Sequence, residues 1–286
     1  MHYMQGVPWQ VKIAAKIVLA RIPLPYNLWA KIGIFKQGGM DRPDYALKTF
    51  RLHFDAAPFA RKTDHFVALE FGPGDSLCSA LIARTFGASR VFLVDAEAYA
   101  STDIAVYRRM ESHLRDLGLH PPDLGHCKCM DDVAKACLAE YMTEGLASLR
   151  KIPSASVDFV WSNAVLPYVR RNEFVAVVQE LRRIQRSDGV ASHRIPIKDI
   201  IGGNLNDLRF SSRIWESWVI ANSGFYTNRL RYLELLQLFR AAGFEPDVVR
   251  KKRWQTLPTP RQKMAKEFAV LSEEDLQVCE FDVLLR

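Results

Sequence analysis

The sequence is poor in cysteine. Its five residues, Cys78, Cys127, Cys129, Cys137 and Cys279, are an odd number in a chain of 286. That pattern offers no disulfide framework, and a reduced, cytoplasmic protein is expected. His126, Cys127, Cys129 and Asp131 crowd together, but Cys-x-Cys is tighter than zinc-site spacing and no second pair follows, so no metal is expected. A long apolar run is also missing. Residues 9–20 are interrupted by Lys12 and Lys16, well short of the roughly 20 apolar residues a spanning helix needs. No cleavable signal is read in the same stretch, and no internal repeat or low-complexity segment is visible.

Positive charge is scarce where a nucleic-acid groove would need it. The net charge is +7, but residues 1–60 hold eight Lys/Arg against three Asp, which leaves only +2 for residues 61–286. The body of the protein therefore lacks the basic surface that RNA or DNA requires, and no nucleic-acid partner is expected. The basic N-terminal part suits a solvated face, or contact with a membrane or an acidic partner.

What is present is an ordinary globular composition, 49% hydrophobic and 25% charged, enough for a sizeable core. Ile13 and Ile17 share one helix face over residues 9–20, with Lys12 and Lys16 beside them. This amphipathic helix either packs on the body or lies on a membrane surface. Pro23 and Pro25 end it. Gly38-Gly39 marks a loop and residues 43–54 read as a helix, so residues 1–60 form a helical N-terminal extension.

From residue 66 strands alternate with helices. Strands are expected at 66–71, 91–94, 138–142, 157–161, 190–195, 246–254 and 278–285. Helices are expected at 76–86, 104–117, 172–186 and 228–242. The pattern predicts an α/β, doubly wound, mostly parallel seven-stranded sheet with helices on both faces, spanning 61–286. Residues 196–227 are too long for a plain connection and are read as a substrate-loop insertion. Ligands of such sheets bind beyond the carboxyl ends of the strands.

The strongest local signal is Glu70-Phe71-Gly72-Pro73-Gly74-Asp75-Ser76, between a strand and a helix. Its glycines let the main chain turn sharply and approach a ligand with no Cβ in the way. A nicotinamide-type fingerprint would need a third glycine at 77, where Leu77 stands. Asp95 ends the next strand, 23 residues after Gly72, where a carboxylate can accept hydrogen bonds from ribose hydroxyls; Glu97 competes for that task. A third stretch, Val157 to Leu166, ends a strand with Ser162 and Asn163.

These three stretches resemble the class I, Rossmann-like S-adenosylmethionine-dependent methyltransferases. Ser76 stands for the last glycine of the family's Glu/Asp-x-Gly-x-Gly-x-Gly turn, and Pro167 and Tyr168 replace the acidic residue and histidine of many relatives. The resemblance implies S-adenosylmethionine as cofactor, held by Glu70, Phe71, Gly72, Pro73, Gly74, Asp95, Ala96, Ser162 and Asn163. It implies methyl transfer by direct displacement, in which positioning and water exclusion dominate. His193, near the end of a strand, is the candidate base for a hydroxyl acceptor, with Asp199 to orient it. Asn206, Arg209, Tyr226 and Arg229 lie in a polar, aromatic stretch that suits a small-molecule or saccharide acceptor. An RNA or protein acceptor, or a non-catalytic cofactor-binding module, stays open; an oxidoreductase is disfavoured by Leu77.

Overall fold

The computed structural model describes residues 8–19, 21, 38–58 and 65–286. The expected boundary at Pro23 and Pro25, and the end of the extension at residue 60, lie outside the described residues.

The elements run α1 (Trp9–Leu19), α2 (Pro43–Ala56), β1 (Phe66–Phe71), α3 (Cys78–Thr85), β2 (Ala88–Val94), α4 (Ile104–Asp116), α5 (Met130–Ala136), β3 (Ala139–Met142), α6 (Leu146–Lys151) and β4 (Val157–Asn163). They continue α7 (Arg171–Ile184), β5 (Gln185–Pro196), α8 (Ser212–Trp215), α9 (Trp218–Ala221), α10 (Tyr232–Ala241), β6 (Pro246–Arg253), α11 (Lys266–Ala269), α12 (Glu273–Gln277) and β7 (Val278–Leu285). The strands form one seven-stranded sheet in the order β3-β2-β1-β4-β5-β7-β6. Strand order reverses between β1 and β4, which opens the crevice at their carboxyl ends.

The sheet is mixed. β3, β2, β1, β4 and β5 pair in parallel. β7 pairs antiparallel to both β5 and β6. The two edges are β3, of only four residues, and β6, which carries Arg250, Lys251, Lys252 and Arg253 in succession.

Both faces are covered, and alternate residues of each strand feed two cores. On one face Ala68, Leu93, Phe159 and Trp161 pack with Phe50 of α2 and Leu81 of α3. On the other, Leu69, Val94, Val160 and Val283 pack with Val178 of α7 and Phe239 of α10. Phe50 is fully buried, with ring centroids 6.2 Å from Phe159 and 5.9 Å from Trp161. Burying such a ring contributes about 2–3 kcal/mol, so α2 is part of the main core rather than an appendage to it. α4 begins at Asp103, whose carboxylate caps the helix by accepting from the Ala105 N–H at 2.9 Å.

The helix expected over 172–186 stops at Ile184, and β5 begins at Gln185. Gln185 pairs with Val157, and the register then skips to Val190 opposite Phe159, leaving the polar 186–189 stretch as a bulge. The 196–227 insertion holds α8, α9 and a single turn at Asn206–Arg209. α1 packs against it: Ile13 is buried beside Ile201, Trp215, Ile220, Phe225 and Tyr226, with Trp9 and Ile17 alongside. Lys16 is buried as well, and desolvation lowers its pKa. Among the described residues no helix is long and apolar enough to cross a membrane.

Candidate cofactor and acceptor site

β1 delivers the chain into the glycine turn at the crevice. Gly72 (φ +83°) and Gly74 (φ +66°) both adopt the left-handed region. A Cβ at Gly72 would stand 2.3 Å from Cγ2 of Val165, so the close fit of the post-β4 loop requires glycine. The Gly72 N–H donates to the Val94 carbonyl at 2.8 Å, holding the turn against β2. Ser76, in the place of the family's third glycine, donates its hydroxyl to the Met40 carbonyl at 2.7 Å. The segment before α2 is thereby fastened across the turn.

Asp95 ends β2 and reaches back to the same turn. Its Oδ2 accepts from the Gly74 N–H at 2.9 Å, and its Oδ1 from the Ala96 N–H at 2.8 Å. Burial pushes its pKa up to about 6, against the lowering effect of those two amides. Ala96 is exposed beside it, as is Glu97. Glu70 lies behind the turn rather than in the crevice. Its carboxyl accepts the Ser79 hydroxyl of α3, and burial pushes its pKa up to about 8.

At the end of β4, Ser162 and Asn163 diverge. Asn163 is half-buried and its amide donates to the Tyr45 hydroxyl of α2 at 3.4 Å, linking the strand end to the N-terminal helix. Ser162 is fully buried, and its Oγ lies 2.7 Å from His193 Nδ1 on the adjoining strand. His193 is likewise fully buried, with its pKa lowered to about 3 by desolvation and then by His53. This corrects its expected role as base: a neutral imidazole sealed between the sheet and its helices cannot meet an acceptor. The neighbouring Ser192 points to the opposite face, where its Oγ lies 2.9 Å from Nδ1 of the buried His53.

Asp199 is also reassigned. Its carboxylate is used up by the main-chain N–H groups of Ile201, Gly202, Gly203 and Asn206, at 2.7–3.1 Å. It organises the start of the insertion and does not orient His193. The four expected acceptor-binding residues are drawn into the same framework. Asn206 Oδ1 accepts from Arg209 Nε at 2.9 Å, and the Arg209 guanidinium lies over the Trp9 ring. The Tyr226 hydroxyl donates to Glu216 at 2.9 Å and accepts from the Arg171 N–H at 3.1 Å. Arg229 is buried between the Trp215 and Phe268 rings and donates to the carbonyls of Asp207 and Phe210. These contacts stabilise the insertion.

A cavity of about 300 Å³ opens beyond the carboxyl ends of β4 and β5, walled by Pro167, Tyr168, Pro196, Lys198, Ile200, Gly203 and Thr227, and Asp199 also lines it. Burial raises the pKa of the Tyr168 phenol, while its ring remains partly exposed. Tyr168 and Lys198 were not singled out as site residues from sequence. The available signal was the replacement of the acidic residue and histidine by Pro167 and Tyr168. A broader hollow of about 500 Å³ lies between α2 and α4, near Leu47, Arg51 and His113, away from the strand ends. Among the described residues no group of three His, Cys, Asp or Glu is arranged to hold a metal ion.

A glycine turn after the first strand, a carboxylate after the second and a crevice at the strand-order reversal define the class I methyltransferase architecture. Residues 69–192, from β1 into β5, match the family described as a methyltransferase domain. This part of the chain is a methyltransferase domain of the S-adenosylmethionine-dependent class, with S-adenosylmethionine as its cofactor. No curated protein matches the chain. Among solved structures, the YcgJ protein of Bacillus subtilis is 13% identical, with 83% of this chain and 96% of that chain covered and a TM-score of 0.44. A methyltransferase of Methanosarcina mazei is 17% identical, with 80% and 96% covered and a TM-score of 0.44. An arsenic(III) S-adenosylmethionine methyltransferase of Chlamydomonas reinhardtii is 15% identical, with 83% and 72% covered and a TM-score of 0.44.

Proposed function

We propose that the protein methylates an oxygen of a small-molecule or saccharide acceptor seated in the cavity beyond β4 and β5. S-adenosylmethionine supplies an electrophilic methyl group on a positively charged sulfur. The main chain at Gly72, Pro73 and Gly74 fits the cofactor, because both glycines turn at positive φ at the crevice with no side chain to hold a ligand off. Asp95 offers the carboxylate for the ribose hydroxyls, with Phe71, Ala96 and Asn163 flanking it. Glu70 and Ser162 support this arrangement from within the sheet.

The observation that carries the acceptor reading is the cavity itself. It adjoins the cofactor crevice at the post-β4 loop, and its volume suits a compact molecule rather than a polymer. The near-neutral body of the chain also suits a small acceptor. With His193 sealed away, catalysis rests on placement: Tyr168 donates a hydrogen bond that orients the acceptor, and the walls exclude water.

The test is transfer of labelled methyl from S-adenosylmethionine to a panel of hydroxylated small molecules and saccharides, with mass spectrometry locating the methyl ether. Label entering a low-mass acceptor, and lost in Asp95→Ala, is the expected result. Label entering only protein or RNA overturns the acceptor reading.

A further inference from the structure

The walls of the cavity beyond β4 and β5 are tied to one another. The Asn228 N–H donates to the Pro167 carbonyl at 2.8 Å. The Asn228 side-chain amide donates to the Leu166 and Val169 carbonyls at 2.8 and 3.1 Å. Thr227 is held by Trp215, whose indole N–H donates to the Thr227 carbonyl at 2.7 Å. A pocket built this way is largely pre-formed, so its few polar groups decide what it accepts.

Lys198 stands at this cavity on a rigid base. Both of its chain neighbours are buried. The Ile197 N–H donates to the Cys279 carbonyl at 2.9 Å, and the Ile197 carbonyl accepts from the buried Arg231. On the other side, the Asp199 N–H donates to the Asn204 carbonyl at 2.8 Å. Lys198 itself is exposed, and its stem passes Gly203, where a Cβ would lie 3.9 Å from Lys198 Cδ. Among the described residues its ammonium has no ion-pair or hydrogen-bond partner.

The acids close to the cavity are already matched. The Asp199 carboxylate accepts four main-chain N–H groups. Asp207 is buried next to Thr227, accepts from the Leu208 N–H at 3.0 Å and from the Thr227 hydroxyl at 3.4 Å, and feels the charges of Arg229 and Arg231. Two carboxylates stand against three cations, and the cation without a partner is Lys198. The Thr227 hydroxyl spends its proton on Asp207, so its oxygen offers lone pairs to a ligand. Between Lys198 and Thr227 the wall is apolar, through Pro167, Pro196 and Ile200.

We infer that the acceptor is a hydroxylated carboxylic acid, its carboxylate paired with Lys198 and its hydroxyl donating to Thr227 Oγ1. The inference rests on the acceptor reading given above and narrows it to a substrate class. One lysine balances one carboxylate, whereas a phosphate monoester carries about −1.5 to −2 at neutral pH and would keep charge unpaired. Lys198 sets specificity and orientation here and takes no part in the displacement itself.

The test gives the full chain S-adenosylmethionine and matched acceptors that differ only in charge. These are hydroxybenzoates and aliphatic hydroxy acids, each beside its uncharged amide, with hydroxyphenyl phosphate as the phosphate arm. Acids should exceed their amides in kcat/KM by about tenfold, the worth of one partly exposed charge-assisted contact. Lys198→Gln should erase that advantage by raising KM for the acid about tenfold with kcat nearly kept, and Lys198→Arg should restore most of it. Thr227→Val should lower kcat/KM for the acid and Thr227→Ser should keep it. Lys198 is exposed, so the melting temperature and cofactor affinity of its variants should match the parent. Equal use of acid and amide, a preference for the phosphate, an acid preference that survives Lys198→Gln, or full activity in Thr227→Val would each overturn this inference and spare the small-acceptor reading. Label entering no member of the panel, or only protein or RNA, would overturn both.

Discussion

Asp95 Oδ2 accepts the Gly74 main-chain N–H at 2.9 Å, so the carboxylate ending β2 also shapes the turn that follows β1. Cofactor recognition and loop geometry therefore depend on one side chain. We expect Asp95→Asn to lower S-adenosylmethionine affinity by about 10–100-fold in calorimetry, the worth of one or two charge-assisted hydrogen bonds. Because burial pushes the Asp95 pKa up to about 6, affinity should fall in the parent as the pH drops through that value. In the variant that step should be missing.

Gly72→Ala should fail for two separable reasons. The residue would sit at φ +83° and its Cβ would stand 2.3 Å from Val165 Cγ2. Together these should cost about 2–4 kcal/mol in urea unfolding. Adding Val165→Ala should recover the steric part but not the backbone part. Full recovery would show that φ carries no cost here.

The pH dependence of stability has opposing sources. His53 and His193 have pKa values lowered to about 3, so they stay neutral where the unfolded chain takes up protons below 6.5. Their contribution is complete above 6.5 and is lost as the pH falls towards 3. Glu70, raised from 4.5 to about 8, holds its proton where the unfolded chain releases it. Its contribution is complete below 4.5 and is lost as the pH rises through 8. Denaturant titrations should show that Glu70→Gln flattens the alkaline limb and His193→Gln the acid limb. Turnover in His193→Gln should keep the parent's pH profile, and loss of an ionisation near neutrality would return the histidine to the chemistry.

Arg229 tests the insertion. Its guanidinium serves the Asp207 and Phe210 carbonyls and stacks on Trp215 and Phe268. Lysine keeps the charge but neither the fork nor the flat face. We expect Arg229→Lys to cost about 2–3 kcal/mol in thermal or urea unfolding, with cofactor affinity in the remaining folded protein unchanged. A selective loss of acceptor binding at full stability would assign the residue to recognition instead.

Much of the sheet was legible because its signal is local. β1, β2 and β4 are apolar runs closed by turns, and the glycine turn with Asp95 needs only short-range spacing. β5 was harder: Gln185 to Gly189 is hydrophilic, and only pairing with Val157 and the bulge that follows make it a strand. The expected roles of His193 and Asp199 failed for a similar reason. Both lie near the end of β5, but burial on either face of a covered sheet sealed His193, and four main-chain amides consumed Asp199. Polar residues of 196–227 read equally well as ligand contacts or as internal partners. Which of these they are depends on contacts far away in sequence, such as Tyr226 with Arg171 and Arg229 with Phe268.

The cations of β6 have a consequence for self-association. A sheet rim offers unpaired amides and carbonyls to any passing strand, and charged side chains discourage that pairing. Arg250, Lys251, Lys252 and Arg253 fill one rim, while β3 gives the other rim only four residues of purchase. The protein is thereby guarded against growing edge to edge into fibrils. Neutralising the β6 cations would weaken that guard and would also break their ion pairs with Glu274, Glu280 and Asp282.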